Sequence, residues 1–308
     1  MEPGDVREVT AGDCTDLSYV DVELFGTSGY GAVYLIDDDR PAIVDTGLGT
    51  NYEYVLEALE EVGIGRDGLE VIAVTHIHLD HAGGAGLIAD ACPNAEVYVP
   101  AVGARHLYDP ERLVEGTKTA VGDQWEYYTE PEPLPEERTV EYEDGDVIDL
   151  GTQELRVHAA PGHAPHHFVF EEPANDVVFV ADAAGLWIPE REQVMETSPP
   201  SQFDFDGCLE DLETLKAIDP DVFCYPHFGP RYVGDEAAEA LEEYGRVLTE
   251  WVETVEAKRE EFGDDEAVVE YFADRPKMVE QWGERKAREE RKLNTRGVLG
   301  YLDWRDSR

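Results

Sequence analysis

At 308 residues and 42% hydrophobic content, the chain is long enough to bury a large core and too apolar for global disorder. Its 70 acidic residues face 24 basic ones, and the formal charge of -46 opposes broad electrostatic binding to nucleic acid or to anionic membranes. The acids are spread between apolar residues that keep their periodicity, which is the pattern of a surface solvated in a high-salt cytoplasm, where salt screens self-repulsion.

In chain order, "YVDVELF" at 19–25, "GAVYLIDDD" at 31–39 and "PAIVDTG" at 41–47 read as strands meeting turns. "NYEYVLEALEEVG" at 51–63 has helical periodicity, with Val55, Leu59 and Val62 on one side and Gly63 as its stop. "LEVIAVTH" is a buried strand, "AGGAGLIADAC" opens a helix, and "AEVYVP" at 95–100 is the next strand. Residues 101–138 form a helical and loop excursion rich in Tyr, Trp, Glu and Pro. Strands resume at "RTVEYEDGDVIDLG", "QELRVHAAPG", "HHFVFEE" and "DVVFVADAAG". An irregular segment, 186–204, precedes an amphipathic helix with Leu209, Leu212 and Leu215, and "PDVFCYPHFG" closes the strand series. From 235 onward the pattern is helical, with a long run to 263, segments near 264–274 and 276–292, and the terminal "NTRGVLGYLDWRDSR". The division expected is a catalytic unit over 1–234 and a helical extension over 235–308.

Cys14, Cys92, Cys208 and Cys224 lack CxxC spacing and read as reduced structural thiols. The opening "MEPGDVREVT" has no apolar signal segment, and no run reaches the roughly 18 apolar residues needed to span a bilayer. A cytoplasmic protein without a membrane partner is expected.

The chemistry concentrates in "THIHLDHAGG" at 75–84, which holds three of the nine histidines. His76, His78, Asp80 and His81 follow a strand, and loops at the carboxyl ends of strands gather functional groups in α/β proteins. Four ligands on one short loop are awkward around a single ion, so distant partners are required. His163, Asp182 and His227 supply them, each just past an apolar strand-like run and beside Gly, Pro or Ala.

Taken together, "DTG" at 45–47, "THIHLDHAGG", "APGHAPHH" at 160–167, "ADAAG" at 181–185 and "HFG" at 227–229 resemble the metallo-β-lactamase-fold hydrolases, in the family's order over roughly 18–232. That superfamily includes glyoxalase II-type thioesterases, lactonases and zinc phosphodiesterases. The resemblance implies an αβ/βα sandwich of two mixed β-sheets flanked by helices, in four layers, with the helical extension attached. It implies that His76, His78 and His163 hold a first metal, that Asp80, His81 and His227 hold a second, and that Asp182 bridges them. Two divalent cations, Zn²⁺ first and Mn²⁺ or Fe²⁺ otherwise, would share a hydroxide that attacks the substrate, with Asp80 guiding it. The family's diiron oxygen reductases tend to carry glutamate where His78 stands, so the histidine favours hydrolysis. Asp45 resembles the aspartate that braces a metal ligand, and it also suits a turn cap before Thr46.

Other residues carry weaker signals. His167 matches the second histidine of the family's "TPGHTPGH" and is a candidate for substrate contact or loop support, while His166 replaces a glycine and reads as structural. His158 reads as a sheet histidine, and His106 as pocket mouth or helix surface. Tyr108, Trp125, Tyr127, Tyr128, Trp187, Phe203 and Phe205, in the two excursions, are candidates for an aromatic substrate wall. Arg296, in the locally basic "ERKAREERKLNTR", is a candidate for a substrate carboxylate. The leading function is hydrolysis of a small ester, thioester or lactone. Its alternatives are a phosphodiesterase or nuclease, an iron-dependent oxygenase, or a scaffold without catalysis. A small-molecule substrate is expected, without nucleic acid, and a homodimer through the C-terminal tail stays open.

Overall fold

The computed structural model describes residues 2–199 and 202–308. The first sheet grows from the meander and continues into parallel strands. β1 (Val6–Glu8), β2 (Leu17–Asp21), β3 (Ala32–Ile36) and β4 (Ala42–Val44) pair antiparallel, and β5 (Val71–Ala73), β6 (Glu96–Pro100) and β7 (Thr139–Tyr142) then add in parallel to β4. β3, β4 and β5 are buried at every residue, which explains why they read as unbroken apolar runs rather than alternating ones.

β8 (Val147–Asp149), β9 (Glu154–Ala159), β10 (Phe168–Glu172) and β11 (Val177–Phe179) begin the second sheet. β12 (Leu186–Ile188) and β13 (Gln193–Met195) form a separate hairpin, after which β14 (Val222–Tyr225) and β15 (Gly229–Tyr232) return to the second sheet. The order there is β15-β14-β11-β10-β9-β8, with β11 and β14 parallel.

Three apolar clusters define the layers. Tyr34, Val71 and Tyr142 of the first sheet meet Phe170, Phe179 and Val222 of the second, so one cluster lies between the sheets. The outer face of the first sheet is covered by α1 (Tyr52–Glu61), which places Leu56 and Leu59 inward, and by α3 (Ala85–Ala91), which places Ile88 inward. The short α2 (Leu79–Ala82) precedes α3, while α4 (Arg105–Tyr108) and α5 (Glu111–Val121) lie in the first excursion. The outer face of the second sheet is covered by α6 (Phe205–Ile218) and α7 (Ala237–Phe262). The result is the expected sandwich of mixed sheets flanked by helices, extended by α8 (Asp265–Ala273) and α9 (Val279–Asp306).

The C-terminal helices share that second outer core. Leu248, Trp251, Val268, Phe272, Val298 and Leu302 join one cluster with Val178, Phe223 and Leu212. The 276–292 segment and the terminal stretch form a single element, α9, interrupted at Gly283 by non-helical backbone. Among the described residues, no helix is long and apolar enough to cross a membrane.

Several details depart from the sequence expectation. The strand expected over 19–25 stops at Asp21, because Glu23 and Phe25 take left-handed backbone and turn the chain through a short 3-10 helix. β1 went unforeseen, since three partly charged residues carry no alternation of their own and gain strand geometry only from β2. The span 186–204 contains the β12–β13 hairpin, and positions 200–201 within it lie outside the described residues.

Candidate metal centre

Adjacent parallel strands aim their carboxyl ends at one point. β4 ends at Val44 and delivers Asp45, while β5 ends at Ala73 and delivers Thr75, His76 and His78. Ile77, 3% exposed, drives into the core between the two histidines, which fixes the alternation of the HxH pair. α2 then presents Asp80 and His81. The turn between β9 and β10 supplies His163, the residues after β11 supply Asp182, and those after β14 supply His227. Asp45, Ala181 and Phe228 hold φ of +59°, +44° and +64°, so non-glycine backbone is held left-handed at or beside three of these loops.

The seven side chains fall into two groups of converging ligand atoms: His76, His78, His163 and Asp182, and Asp80, His81 and His227. His78 Nδ1 lies 3.1 Å from both His76 Nε2 and His163 Nε2. Asp182 touches both groups. Its Oδ2 lies 3.2 Å from His163 Nε2, 3.6 Å from His76 Nε2 and 3.3 Å from His81 Nε2, and its Oδ1 lies 3.7 Å from His227 Nε2. Asp80 Oδ2 stands 3.8 Å from His81 Nε2.

Second contacts fix the orientation of each ring. Asp45 accepts the Thr75 N–H at 2.8 Å and the Thr75 hydroxyl at 2.9 Å, and its Oδ2 accepts from His81 Nδ1 at 2.8 Å. His81 is thereby held with Nε2 toward Asp80 and Asp182, and that buried nitrogen has no hydrogen-bond partner of its own. Thr75 Oγ1 lies 3.1 Å from His76 Nδ1, so His76 turns Nε2 into its group. His167 Nδ1 donates to Ala160 O at 3.0 Å and its Nε2 accepts the Asp182 N–H at 3.0 Å. His167 therefore ties the backbone of Asp182 to that of Ala160.

Electrostatics set the states that a divalent cation takes as ligands. Burial, and then the neighbouring imidazoles, hold His76 well below the usual histidine range. Burial does the same for His163, outweighing Asp182, and also lowers His78 and His227. Burial opposes a charge on Asp182, but His163, His81 and His227 outweigh it and keep the carboxyl ionised. Burial likewise opposes a charge on His81, yet Asp45, Asp80 and Asp182 prevail and favour positive charge at that place. Imidazole nitrogens with two carboxylates, one of them shared, form a borderline nitrogen/oxygen donor set suited to a pair of ions such as Zn²⁺.

The centre opens on a cavity of about 550 Å³, which His78, Asp80, His163, Asp182 and His227 help to line. His106 and His166 line it too. Of the aromatic candidates, Tyr128 lines the cavity and the others fall elsewhere. Tyr108 donates its hydroxyl to Glu141 at 3.0 Å, and Trp187 lies under the Arg231 guanidinium, 3.8 Å from ring centroid to Cζ. Neither borders the cavity, and Arg296 is exposed and outside its lining. His158 pairs with Glu171 at 2.8 Å on the sheet, as expected of a structural histidine. Tyr128 shares the aromatic wall with Phe25, Tyr30 and Trp282. Tyr30 stacks on His227 at 4.8 Å between centroids and meets Trp282 at 5.3 Å. Nothing local in "SGYG" marks Tyr30, and only the approach of α9 makes a wall of these rings.

α9 reaches the centre by a second route. Ser198 N donates to Asn294 Oδ1 at 2.8 Å, Trp251 Nε1 donates to Ser198 Oγ at 3.1 Å, and Thr197 Oγ1 donates to Asp182 O at 3.3 Å. Buried Glu196 binds Lys277 at 3.0 Å and also Arg291.

The sequence profile described as the Metallo-beta-lactamase superfamily matches residues 26–227. The chain is 29% identical over 169 residues, 53% of its own length, to the metallo-beta-lactamase fold-containing protein ST1585 of Sulfurisphaera tokodaii. It is also 29% identical over 146 residues, 47% of its length, to the hydroxyacylglutathione hydrolase of Maricaulis maris. These matches span 62% and 43% of the two curated relatives. In structure, ST1585 superposes with a TM-score of 0.67 at 20% identity, covering 97% of this chain and 99% of its own. TTHA1429 of Thermus thermophilus, a metallo-beta-lactamase family protein, gives a TM-score of 0.63 at 21% identity, covering 90% and 89%. These superpositions carry the fold; the profile match, spanning well over half of the chain, carries the family. The chain belongs to the metallo-beta-lactamase superfamily.

Proposed function

We propose that this protein is a dinuclear metal-dependent hydrolase of a small ester, thioester or lactone, in the glyoxalase II and lactonase-like branch. The observation that carries the proposal is Asp182, whose carboxylate reaches ligands of both groups at the end of an aromatic-walled cavity. The printed activity of one relative, hydroxyacylglutathione hydrolase, supports the thioester among these substrates. A cytoplasmic setting of high salt fits the formal charge of -46.

His76, His78, His163 and Asp182 would hold one cation and Asp80, His81 and His227 the other, with Asp182 shared. Two such ions, when bound, make water a nucleophile near neutral pH and polarise the oxygen of the scissile bond. The chain does the rest. Asp80, a quarter exposed and lining the cavity, would orient the attacking water. Asp45 and Thr75 keep His81 and His76 in the tautomers that point Nε2 inward. Phe25, Tyr30, Tyr128 and Trp282 offer an apolar surface to the acyl or leaving group and exclude bulk water. We assign residues 1–234 to catalysis and the helical extension 235–308 to closing the cavity through Trp282, Lys286 and Asn294.

The test is a panel of one ester, one thioester, one lactone and one phosphodiester, run on zinc-loaded protein in high salt. Turnover of an acyl substrate that is abolished in His76→Ala is the expected result. Turnover of the phosphodiester alone, or acyl turnover that survives His76→Ala, would overturn the proposal.

A further inference from the structure

The shared carboxylate stands on strained backbone. Ala181, just before Asp182, is a non-glycine residue at φ +44°, a conformation that persists only where the surroundings enforce it. Two hydrogen bonds do so. The Asp182 N–H goes to His167 Nε2 at 3.0 Å, and the Asp182 carbonyl accepts the Thr197 hydroxyl at 3.3 Å. His167 lies in the turn before β10, whereas Thr197 belongs to the strap that leaves β13 and runs along the cavity. The single hydroxyl proton of Thr197 is given to Asp182, and its oxygen accepts from the Tyr244 hydroxyl of α7, 3.4 Å away.

The helical extension holds that strap in turn. The residues on either side of Thr197 are buried, and each is anchored at α9. Glu196 meets Arg291 of α9, and at 3.0 Å it meets Lys277, just before that helix. Ser198 N donates to Asn294 Oδ1 at 2.8 Å. The Ser198 hydroxyl donates to Asn294 O at 3.1 Å and accepts the Trp251 indole N–H at 3.1 Å. Arg291 stacks over the same indole, 4.0 Å from Cζ to ring centroid. α9 approaches at Gly297, where a Cβ would lie 2.1 Å from Ser198 O, so the helix backbone itself presses on the strap. The side chains therefore alternate: Glu196 and Ser198 face the extension, and Thr197 faces Asp182.

Resting on the two-ion reading above, we propose that Thr197 is a positioning residue for Asp182 and that α9 sets the metal centre through it. The series runs from Arg291 and Asn294 to the strap 196–198, and from there to the Asp182 carbonyl. Asp182 Oδ2 faces His76, His81 and His163 while Oδ1 faces His227, so a tilt of this backbone shifts a donor to both ions at once. The extension is then part of the metal centre as well as a wall of the cavity. Zinc binding and the docking of α9 are coupled, and each strengthens the other by the same factor.

The test compares Thr197→Val, which keeps the shape of the side chain and removes its hydroxyl, with Thr197→Ser, which keeps the hydroxyl. Zinc affinities are read by competition with a chromophoric chelator, and the absorption spectrum of cobalt-loaded protein reports the geometry at the ions. Thr197→Val is expected to weaken both zinc affinities about tenfold, as for loss of an outer partner of a ligand, and to shift the cobalt bands. Thr197→Ser should stay near wild type. Asn294→Ala should weaken zinc in the same direction, and adding it to Thr197→Val should bring no further loss, because the two act in series. Metal-free melting temperatures check that each variant folds. Unchanged zinc affinities and cobalt bands in Thr197→Val, whatever its melting temperature, would overturn the positioning role. Fully additive losses in the double variant would contradict the route through α9. Acyl turnover by the wild type is read separately. The predicted zinc losses without any hydrolysis would sink the hydrolase reading and leave the strap standing, and hydrolysis with unchanged affinities would do the reverse.

Discussion

Replacing Asp45 by asparagine perturbs the second ligand group without touching a ligand. In the wild type, one oxygen of Asp45 takes the Thr75 N–H and hydroxyl, and the other takes His81 Nδ1 at 2.8 Å. An asparagine can keep its carbonyl on Thr75, but its NH₂ then faces His81 Nδ1–H, donor against donor. His81 is driven to move its proton to Nε2, the nitrogen that faces Asp80 and Asp182. Loss of such a supporting carboxylate costs about 10–100-fold in metal affinity, roughly 1.4–2.7 kcal/mol. The first group should be spared, since His76 takes its orientation from the Thr75 hydroxyl and His163 lies on another loop. A competition titration with a chromophoric zinc chelator resolves the two sites, with metal-free melting temperatures as the folding control. One weakened and one unchanged site is the expected outcome. Two unchanged affinities would refute Asp45 as the group that sets the His81 tautomer.

Further outcomes follow from other contacts. In Gly162→Ala the added Cβ would lie 2.1 Å from Cys208 N and 2.5 Å from its Cα, a backbone clash that no rotamer relieves. A loss of about 1–3 kcal/mol in stability and weaker zinc binding at the His163 group are expected from denaturant melts and zinc titration. Asp211, which accepts the Gly162 N–H at 2.8 Å, has its carboxyl raised from 3.8 to about 7, chiefly by burial. The folded state therefore holds a proton there that the unfolded state releases, so this stability is full below about pH 4 and is lost as pH rises through 7. Asp211→Asn keeps an acceptor without the charge, so its stability relative to wild type should rise between pH 4 and 7 and level off above; parallel pH profiles would contradict it. Arg291→Met leaves Glu196, 2% exposed, with Lys277 as its one cationic partner among the described residues, and should cost about 3 kcal/mol in urea unfolding.

The cluster was legible because His76, His78, His163, Asp182 and His227 follow strands, with Asp80 and His81 on the short helix just beyond β5, and apolar strand runs are the strongest local signal a sequence carries. The spacing of "THIHLDH" and the isolated His163, Asp182 and His227 identified the seven side chains that the structure gathers. Asp45 was legible from its place after β4, although its contact with His81 needed the parallel pairing of β4 with β5. The aromatic wall of the cavity was legible only at Tyr128. Tyr108, Trp187 and Arg296 have the right chemistry, but the folding of the excursions and the packing of α9 turn them elsewhere. Tyr30 and Trp282 reach the cavity through tertiary packing that no periodicity encodes. The short β1 and the β12–β13 hairpin escaped for a related reason, since three-residue strands owe their geometry to their partners.

The most direct measurement is the metal content of purified protein after reconstitution with zinc and removal of excess ion, read by plasma mass spectrometry. Two ligand groups joined by Asp182 predict about two zinc ions per chain. One ion per chain, or none retained, would contradict the dinuclear centre.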